Sequence, residues 1–291
     1  MRAGGNGLRR QWDTTSLSAR LRERIIALQR VLDRAAAALR SRTTPENIHA
    51  VRVAARRLRA YLHAFHRDLD SRLVKRYRRK LKGLAYELEA AREAYVMRCA
   101  ITQLTKKGSA NIHVGTGALR EWVGDEYISA LQRLRSRVAA ASWRRRVSIL
   151  RRLSIRASLV PVNNRPAAVA ILQRVNRARR RLQLALCRAG KDPRRLHRLR
   201  LKIKQVRYLL EDSGVEAPLA EESEVKGLQR LQDCLGDMHD EENLRESLCA
   251  RRLPHRATRS IIEELMRRKH GRFREFKKRR EELTNLWRAL D

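Results

Sequence analysis

Residues 49–59 read HAVRVAARRLR, and residues 197–207 repeat the same pattern as HRLRLKIKQVR. In each copy a histidine is followed by basic residues three, seven and ten positions later. On an α-helix these four positions fall within about 80° of arc, next to the sector that carries the apolar residues of the copy. The repeat therefore predicts two amphipathic helices, each with a row of cations along one edge of its buried stripe.

Cations at the edge of a buried stripe face a neighbouring element or a cleft, so they either pair with carboxylates or bind an anion. Between Ile48 and Lys82 the only carboxylates are Asp68 and Asp70, which favours an anion, while a solvated basic face is the alternative. The third helix adds basic residues, and its counterpart in the second half is poorer in them. The candidate anion-binding residues are His49, Arg52, Arg56, Arg59, Arg76, Arg79, Lys82, His197, Arg200, Lys204, Arg207 and Lys226.

A second pair of similar segments, 81–93 and 228–240, has nearly the same spacing as the first pair. It indicates two equivalent halves of four amphipathic helices each, because four such helices can enclose a core. We predict an all-α fold of two four-helix bundles related by an internal pseudo-twofold axis, with the two cationic helices meeting across a shared groove. Glu93 and Asp240 occupy matching positions, and we expect them to be buried partners that orient neighbouring cations or cap loops.

The expected boundaries follow from caps, prolines and changes in composition. We predict a flexible arm over residues 1–15, a first half over 16–157, a linker over 158–165 and a second half over 166–291. In the first half, a helix starts after Ser16, the next starts at Thr44-Pro45, a third covers about Asp70 to Lys106, and a fourth covers about Leu119 to Leu153 with a break near Ser142. In the second half, helices start at Pro166, Pro193, Pro218 and Pro254.

The bulk composition indicates a polyanionic partner. The 291 residues include 68 Lys and Arg against 31 Asp and Glu, a formal net charge of +37. Such self-repulsion is tolerated best when the natural partner is strongly anionic. The four cysteines have no zinc-type spacing, no apolar run is long enough to span a membrane, and there is no apolar signal core, so we expect a cytoplasmic protein with no membrane partner.

Sequence signatures of enzymes are missing. The chain has no phosphate-binding G-x-x-x-x-G-K-[ST] loop, no G-x-G-x-x-G and no H-E-x-x-H, and no acidic pair recurs between the halves in a place suited to acid–base work. We therefore expect no catalytic residues, no cofactor and no dedicated metal site. His63 and His66 share a helix face, and weak metal binding there is left open.

Four segments together resemble one known family. They are His49-x-x-Arg52-x-x-x-Arg56-Arg57-Leu58-Arg59, Leu88-x-x-Ala91-Arg92-Glu93, His197-x-x-Arg200-x-x-x-Lys204-x-x-Arg207-Tyr208 and Leu231-Gln232-Asp233-x-Leu235-Gly236. In this order they are similar to the CHAD domain, the conserved histidine α-helical domain, over about residues 15 to 290.

The resemblance implies two four-helix bundles, binding of inorganic polyphosphate in a basic central groove, and association with polyphosphate granules. It also adds Arg57 to the candidate ligands, since the groove residues of the family are the histidines and basic residues of these motifs.

The main alternative is a protein that binds nucleic acid regardless of sequence, and net charge alone allows weak binding of that kind. Single-stranded nucleic acids usually stack on aromatic side chains, whereas the tryptophans here are scattered at positions 12, 122, 143 and 287. A phosphohydrolase or polyphosphate kinase is a further alternative, and it lacks a cluster of metal-binding carboxylates. We therefore expect a non-catalytic module that binds polyphosphate.

Overall fold

The computed structural model describes residues 16–107, 116–158, 166–212, 222–250 and 255–290. Within these ranges the protein is all-helical, as predicted: there are ten α-helices, and the only strand-like pairing is an isolated bridge between Ser16 and Pro166. No helix in the described ranges is both long enough and apolar enough to cross a membrane. The predicted arm lies outside the described residues, as does the predicted linker beyond its first residue.

Ten helices replace the eight that the sequence predicted. In chain order they are α1 Leu17–Ser41, α2 Pro45–Ala64, α3 Ser71–Glu87, α4 Glu89–Lys107, α5 Thr116–Ala139, α6 Ala141–Ser158, α7 Ala167–Cys187, α8 Pro193–Asp212, α9 Glu222–Cys249 and α10 His255–Leu290. The two copies of the His/Arg motif lie on α2 and α8.

The first three helices begin where their capping residues predict. The side chains of Ser16 and Thr44 accept hydrogen bonds from backbone amides three residues later, and Pro45 occupies the first turn of α2. Asp70 caps α3 by accepting from the amide of Leu73 at 2.8 Å. Each cap satisfies one of the amides that a helix start leaves without an internal partner.

Two predicted helices are each interrupted by one turn residue. The third predicted helix breaks at Leu88, which separates α3 from α4 and was not predicted. The fourth breaks at Ala140, between α5 and α6, two residues from the break predicted near Ser142. Neither position has the glycine or proline that marks most breaks in a sequence. Leu88 is fully buried, and Trp143, which follows the second break, is 2% exposed. Packing of these side chains stabilises the turns, which is why local sequence did not reveal the first one.

The chain forms two compact units. The first contains residues 16–88, 135–158, 166–182 and 205–212 of the described chain. Within it α1 packs on α2, α2 on α3, α3 on α6, and α6 back on α1, so these four helices close a ring. Its core includes the fully buried rings of Tyr61, Phe65 and Tyr77.

The second unit contains residues 89–107, 116–134, 183–204, 222–250 and 255–290 of the described chain. Here α9 packs against α10 and α4. One apolar cluster joins residues of four helices of this unit: Ile101, Leu104, Leu119, Val123, Leu244, Leu248, Ile261 and Leu265.

The two units interleave along the chain. Helices α5, α7 and α8 each contribute residues to both units, so compactness does not follow the sequential halves 16–157 and 166–291. The sequential halves and the pseudo-twofold relation between them stay predictions from the sequence repeat.

Candidate anion-binding site

The first motif copy places its cations in different environments along α2. His49 is exposed, Arg52 is 8% exposed, and Arg56 and Arg59 are partly buried. Arg52 donates from Nη1 to the backbone carbonyl of Ala85 at 2.9 Å. Because α3 ends two residues after Ala85, that carbonyl is among those that lack a partner inside the helix. Arg52 therefore caps the carboxyl end of α3. This is a structural role in addition to the binding role predicted for it.

Arg57 is held by carboxylates of the same unit. Its Nε lies 3.2 Å from each carboxylate oxygen of Asp212, its Nη2 also contacts Asp212, and Nη2 lies 3.5 Å from Glu211 Oε2. Asp212 is completely buried and also binds Arg24 Nη2 at 2.6 Å. Burial disfavours the charge of Arg57, but the hydrogen bond and charge of Asp212 outweigh it and raise the pKa of Arg57. This arginine is already paired.

Arg56 and Arg59 lie beside another cation instead of a carboxylate. Burial, followed by the charges of Arg78 and Arg56, lowers the pKa of Arg59. Arg78, on α3, has its pKa lowered by burial. The Nε atoms of Arg59 and Arg78 are buried and have no hydrogen-bond partner within the described residues. Donors that are shielded from water and lack an acceptor favour the arrival of an anion.

The carboxylates nearest in sequence are used elsewhere. Asp68 binds Arg174 Nη2 at 2.6 Å, and Asp70 caps α3. On α3, Arg76, Arg79 and Lys82 are exposed and form no ion pair in the described part of the chain. Arg78 faces α2, where its charge acts on Arg59, Lys82 follows it one helical turn later, and Arg79 and Arg76 continue around the exposed face of α3. We call the following set the α2–α3 cation cluster: Arg56, Arg59, Arg76, Arg78, Arg79 and Lys82.

The second motif copy forms a histidine-centred group in the second unit. The rings of His197 and His239 lie 4.6 Å apart between centroids. Burial is the largest cause that lowers the pKa of His197, and the charges of Arg200 and Lys204 act in the same direction. Burial is the largest cause that lowers the pKa of His239 to about 4, and the charges of Arg200 and His197 act in the same direction. Both shifts favour the neutral imidazole, which carries one N–H donor.

A glycine of α9 admits the arginine of this group. A Cβ at Gly236 would lie 3.3 Å from Arg200 Nη2, closer than ordinary van der Waals contact. This close approach explains why a glycine occupies position 236 in the Leu235-Gly236 motif. Next to it, Asp240 accepts from Arg92 Nη2 at 3.1 Å, which is the orienting role that we predicted for Asp240.

The remaining predicted residues of the second half are engaged or buried. Arg207 pairs with Glu211 at 2.6 Å, and Lys226 pairs with Glu222 at 2.6 Å on the surface. Lys204 is 5% exposed. The unpaired cations of the predicted set thus concentrate on α2 and α3, where the sequence is also more basic.

Sequence reasoning missed two members of these groups. Arg78 is on the α3 face towards α2 and is not among the predicted residues, although its spacing of four residues from Lys82 indicates a shared face. His239 is not among the predicted residues, although it precedes Asp240 in the second repeat. No sequence signal links Asp212 to Arg57, because the two are brought together only by the fold.

His63 and His66 form a stacked pair with ring centroids 5.5 Å apart. Burial, then the charge of Arg78, lowers the pKa of His63. No group of three or more side chains suited to hold a metal ion occurs in the described ranges. Weak metal binding at this pair stays a hypothesis from the sequence.

Fold and site define an all-helical protein with a carboxylate-free cluster of cations. The chain matches the family model of the CHAD domain over residues 23–249, and it belongs to the CHAD domain family. Among solved structures it is similar to the CHAD domain of the plant Ricinus communis, with a TM-score of 0.76 and 20% identity over 94% of this chain and 93% of that one. It is also similar to PptA from Streptomyces chartreusis, with a TM-score of 0.67 and 18% identity over 94% of this chain and 100% of that one.

At these identities the two structures show a shared fold. No curated protein sequence gives a significant match to the chain.

Proposed function

We propose that the protein binds inorganic polyphosphate without catalysis, and that the α2–α3 cation cluster is its main contact surface. One observation carries the proposal. Neighbouring arginines such as Arg57 are paired with buried carboxylates, whereas six cations of α2 and α3 are left without any carboxylate in the described part of the chain. The charges of Arg78 and Arg56 act unfavourably on Arg59, and an anion relieves that repulsion.

The number and kind of the cations favour a chain of phosphates over a single phosphate. Arginine binds two phosphate oxygens at once through its planar fork, and five of the six cluster residues are arginines. A polyanion that neutralises several cations also releases its condensed counterions, which adds favourable free energy for each contact. Membership in the CHAD family supports the same ligand.

Binding without turnover is part of the proposal. Phosphoryl-transfer enzymes commonly hold metal ions with carboxylates close to the phosphates. The α2–α3 cation cluster consists of cations alone, so its residues can bind and orient phosphates but supply no ligand that would hold such a metal.

The second motif copy is proposed as an additional contact. His197 and Arg200 keep donors next to each other in the second unit, supported by Gly236 and His239. The shared groove between the two motif helices and the association with polyphosphate granules are proposals that rest on the family resemblance.

Competition in a salt series tests the proposal. Labelled polyphosphate is bound to the purified protein and displaced with unlabelled polyphosphate, DNA or RNA at equal charge concentration. We expect unlabelled polyphosphate to displace the labelled polyphosphate better than DNA or RNA does. We also expect the logarithm of the binding constant to fall linearly with the logarithm of the salt concentration, with a slope of about 4, because each of six contacts contributes about 0.7 by analogy with single-stranded nucleic acids. Displacement by DNA or RNA at equal charge would refute the proposal, and phosphate release in the presence of magnesium would refute its non-catalytic part.

One observation favours the nucleic-acid alternative. Tyr86 is 76% exposed and follows Lys75, Arg79 and Lys82 on α3 at helical spacing, so its ring is available for stacking of a base. Tyr86→Ala separates the two functions: it weakens binding of single-stranded RNA if bases stack there, and it leaves polyphosphate binding unchanged.

A further inference from the structure

Helix α6 is fixed between two helices of the first unit by ion pairs on its two flanks. Arg151 Nε lies 3.0 Å from Asp33 of α1, and Arg146 pairs with Glu87 of α3. The apolar side chains of α6 face the core of the ring, with Leu150 1% and Leu153 4% exposed. The orientation of α6 about its own axis is therefore well defined.

A stripe of α6 that borders α3 carries three further arginines. Arg145, Ile149, Arg152 and Arg156 follow one another at steps of four, three and four residues, which places them on one face of the helix. All three arginines are exposed, and none has an ion-pair partner in the described ranges.

A cavity joins this stripe to the α2–α3 cation cluster. It is lined by Arg79, Lys80, Gly83, Arg146, Ile149 and Leu150, so it lies between α3 and α6. Arg79 belongs to the cluster, and Ile149 belongs to the arginine stripe. The lining contains three cations, of which Arg146 is neutralised by Glu87, while Arg79 and Lys80 form no ion pair in the described ranges. An anionic chain that crosses from α3 to α6 therefore meets Arg79 and Lys80 at the cavity.

We infer that the polyphosphate surface continues across this cavity onto α6, where Arg145, Arg152 and Arg156 bind the distal part of long chains only. The inference rests on the proposed function and adds chain-length selectivity to it. A chain no longer than α3, 17 residues or about 25 Å, is accommodated by the α2–α3 cation cluster alone. A chain several times longer reaches the α6 arginines and gains further contacts.

The test compares two triple variants with equal loss of charge. The first removes the stripe: Arg145→Gln, Arg152→Gln and Arg156→Gln. The second removes three exposed arginines of α1, the helix that lies across the ring from α3: Arg30→Gln, Arg34→Gln and Arg40→Gln. Affinities of wild type and both variants are measured for a polyphosphate fraction shorter than α3 and for one several times longer, after circular dichroism melts confirm that all three proteins are folded.

We expect the α6 variant to keep wild-type affinity for short chains and to lose affinity for long chains, with a salt slope shallower by about 2 for the three lost contacts. The α1 variant should keep the wild-type ratio of long-chain to short-chain affinity. The inference is overturned if the α6 variant keeps the same ratio of long-chain to short-chain affinity as the α1 variant, or if it loses affinity for short and long chains equally. The proposed function stands in both cases. If wild type binds neither fraction, the proposed function itself fails.

Discussion

Arg56 and Arg57 are neighbours in the sequence, and the fold gives them different environments. Arg57 binds the buried Asp212, whereas the charge of Arg56 acts on another arginine, Arg59. A sequence can place both on one helix, but it cannot show that a residue 155 positions later neutralises one of them. The partner of a charged side chain depends on packing between distant segments, which local pattern does not report.

Replacing each of these two arginines separately should give opposite phenotypes. Arg57→Gln leaves the buried Asp212 with Arg24 as its remaining partner, so we expect the free energy of unfolding to fall by roughly 2–3 kcal/mol, below the full loss for an isolated buried pair. Arg56→Gln should leave stability within about 0.5 kcal/mol of wild type and weaken polyphosphate binding. Urea unfolding and polyphosphate titration measure the two effects, and the same phenotype for both variants would contradict the assignment.

His239 should make stability depend on pH. Its pKa is about 4 in the folded protein and near its ordinary value of 6.5 in the unfolded chain, so between these values the unfolded chain binds more protons. The free energy of unfolding is therefore expected to fall as pH drops from about 6.5 towards about 4.

His239→Asn should flatten this part of the profile. The control is His270→Asn, which removes an exposed histidine of the same unit and should keep the wild-type slope. The measurement is urea unfolding at about pH 7.5 and about pH 5. Equal slopes for the wild type and His239→Asn would contradict the environment described for this ring.

At the scale of elements, the sequence predicted helix starts better than helix breaks. Ser16, Thr44 and Asp70 cap α1, α2 and α3 because a cap is a local interaction between a side chain and amides a few residues away. The break at Leu88 has no local signal. It depends on burial of Leu88 and on Arg52, which comes from another helix to bind the freed carbonyl of Ala85.

Removing the guanidinium of Arg52 should loosen the end of α3. Arg52→Met keeps much of the buried side chain but leaves the carbonyl of Ala85 without its donor, so we expect a loss of about 1–2 kcal/mol. Hydrogen exchange over residues 84–87 should speed up in this variant. Arg72→Met, at an exposed position in the first turn of α3, is the control and should not change it. Unchanged exchange in both variants would contradict the capping role.

At the scale of the molecule, the composition and the sequence repeat predicted an anionic ligand and the family, but they did not predict how the chain divides into compact units. The net charge and the scarcity of carboxylates near Ile48 to Lys82 predicted an anionic ligand, and the four motifs predicted the CHAD family, which the family match confirms. The interleaving of the two compact units could not be predicted, because it depends on which parts of α5, α7 and α8 pack with which neighbours.

Charge reversal at two matched pairs of sites tests the central claim most directly. One variant carries Arg56→Glu and Arg59→Glu in the α2–α3 cation cluster, and the other carries Lys277→Glu and Lys278→Glu on the exposed surface of α10. Both change the net charge by the same amount, so diffuse electrostatics affects them alike. In polyphosphate titrations at one salt concentration, we predict that the first variant loses at least about tenfold more affinity than the second, or about 1.4 kcal/mol. Equal losses would show that charge alone holds the ligand and would contradict a defined site on α2 and α3.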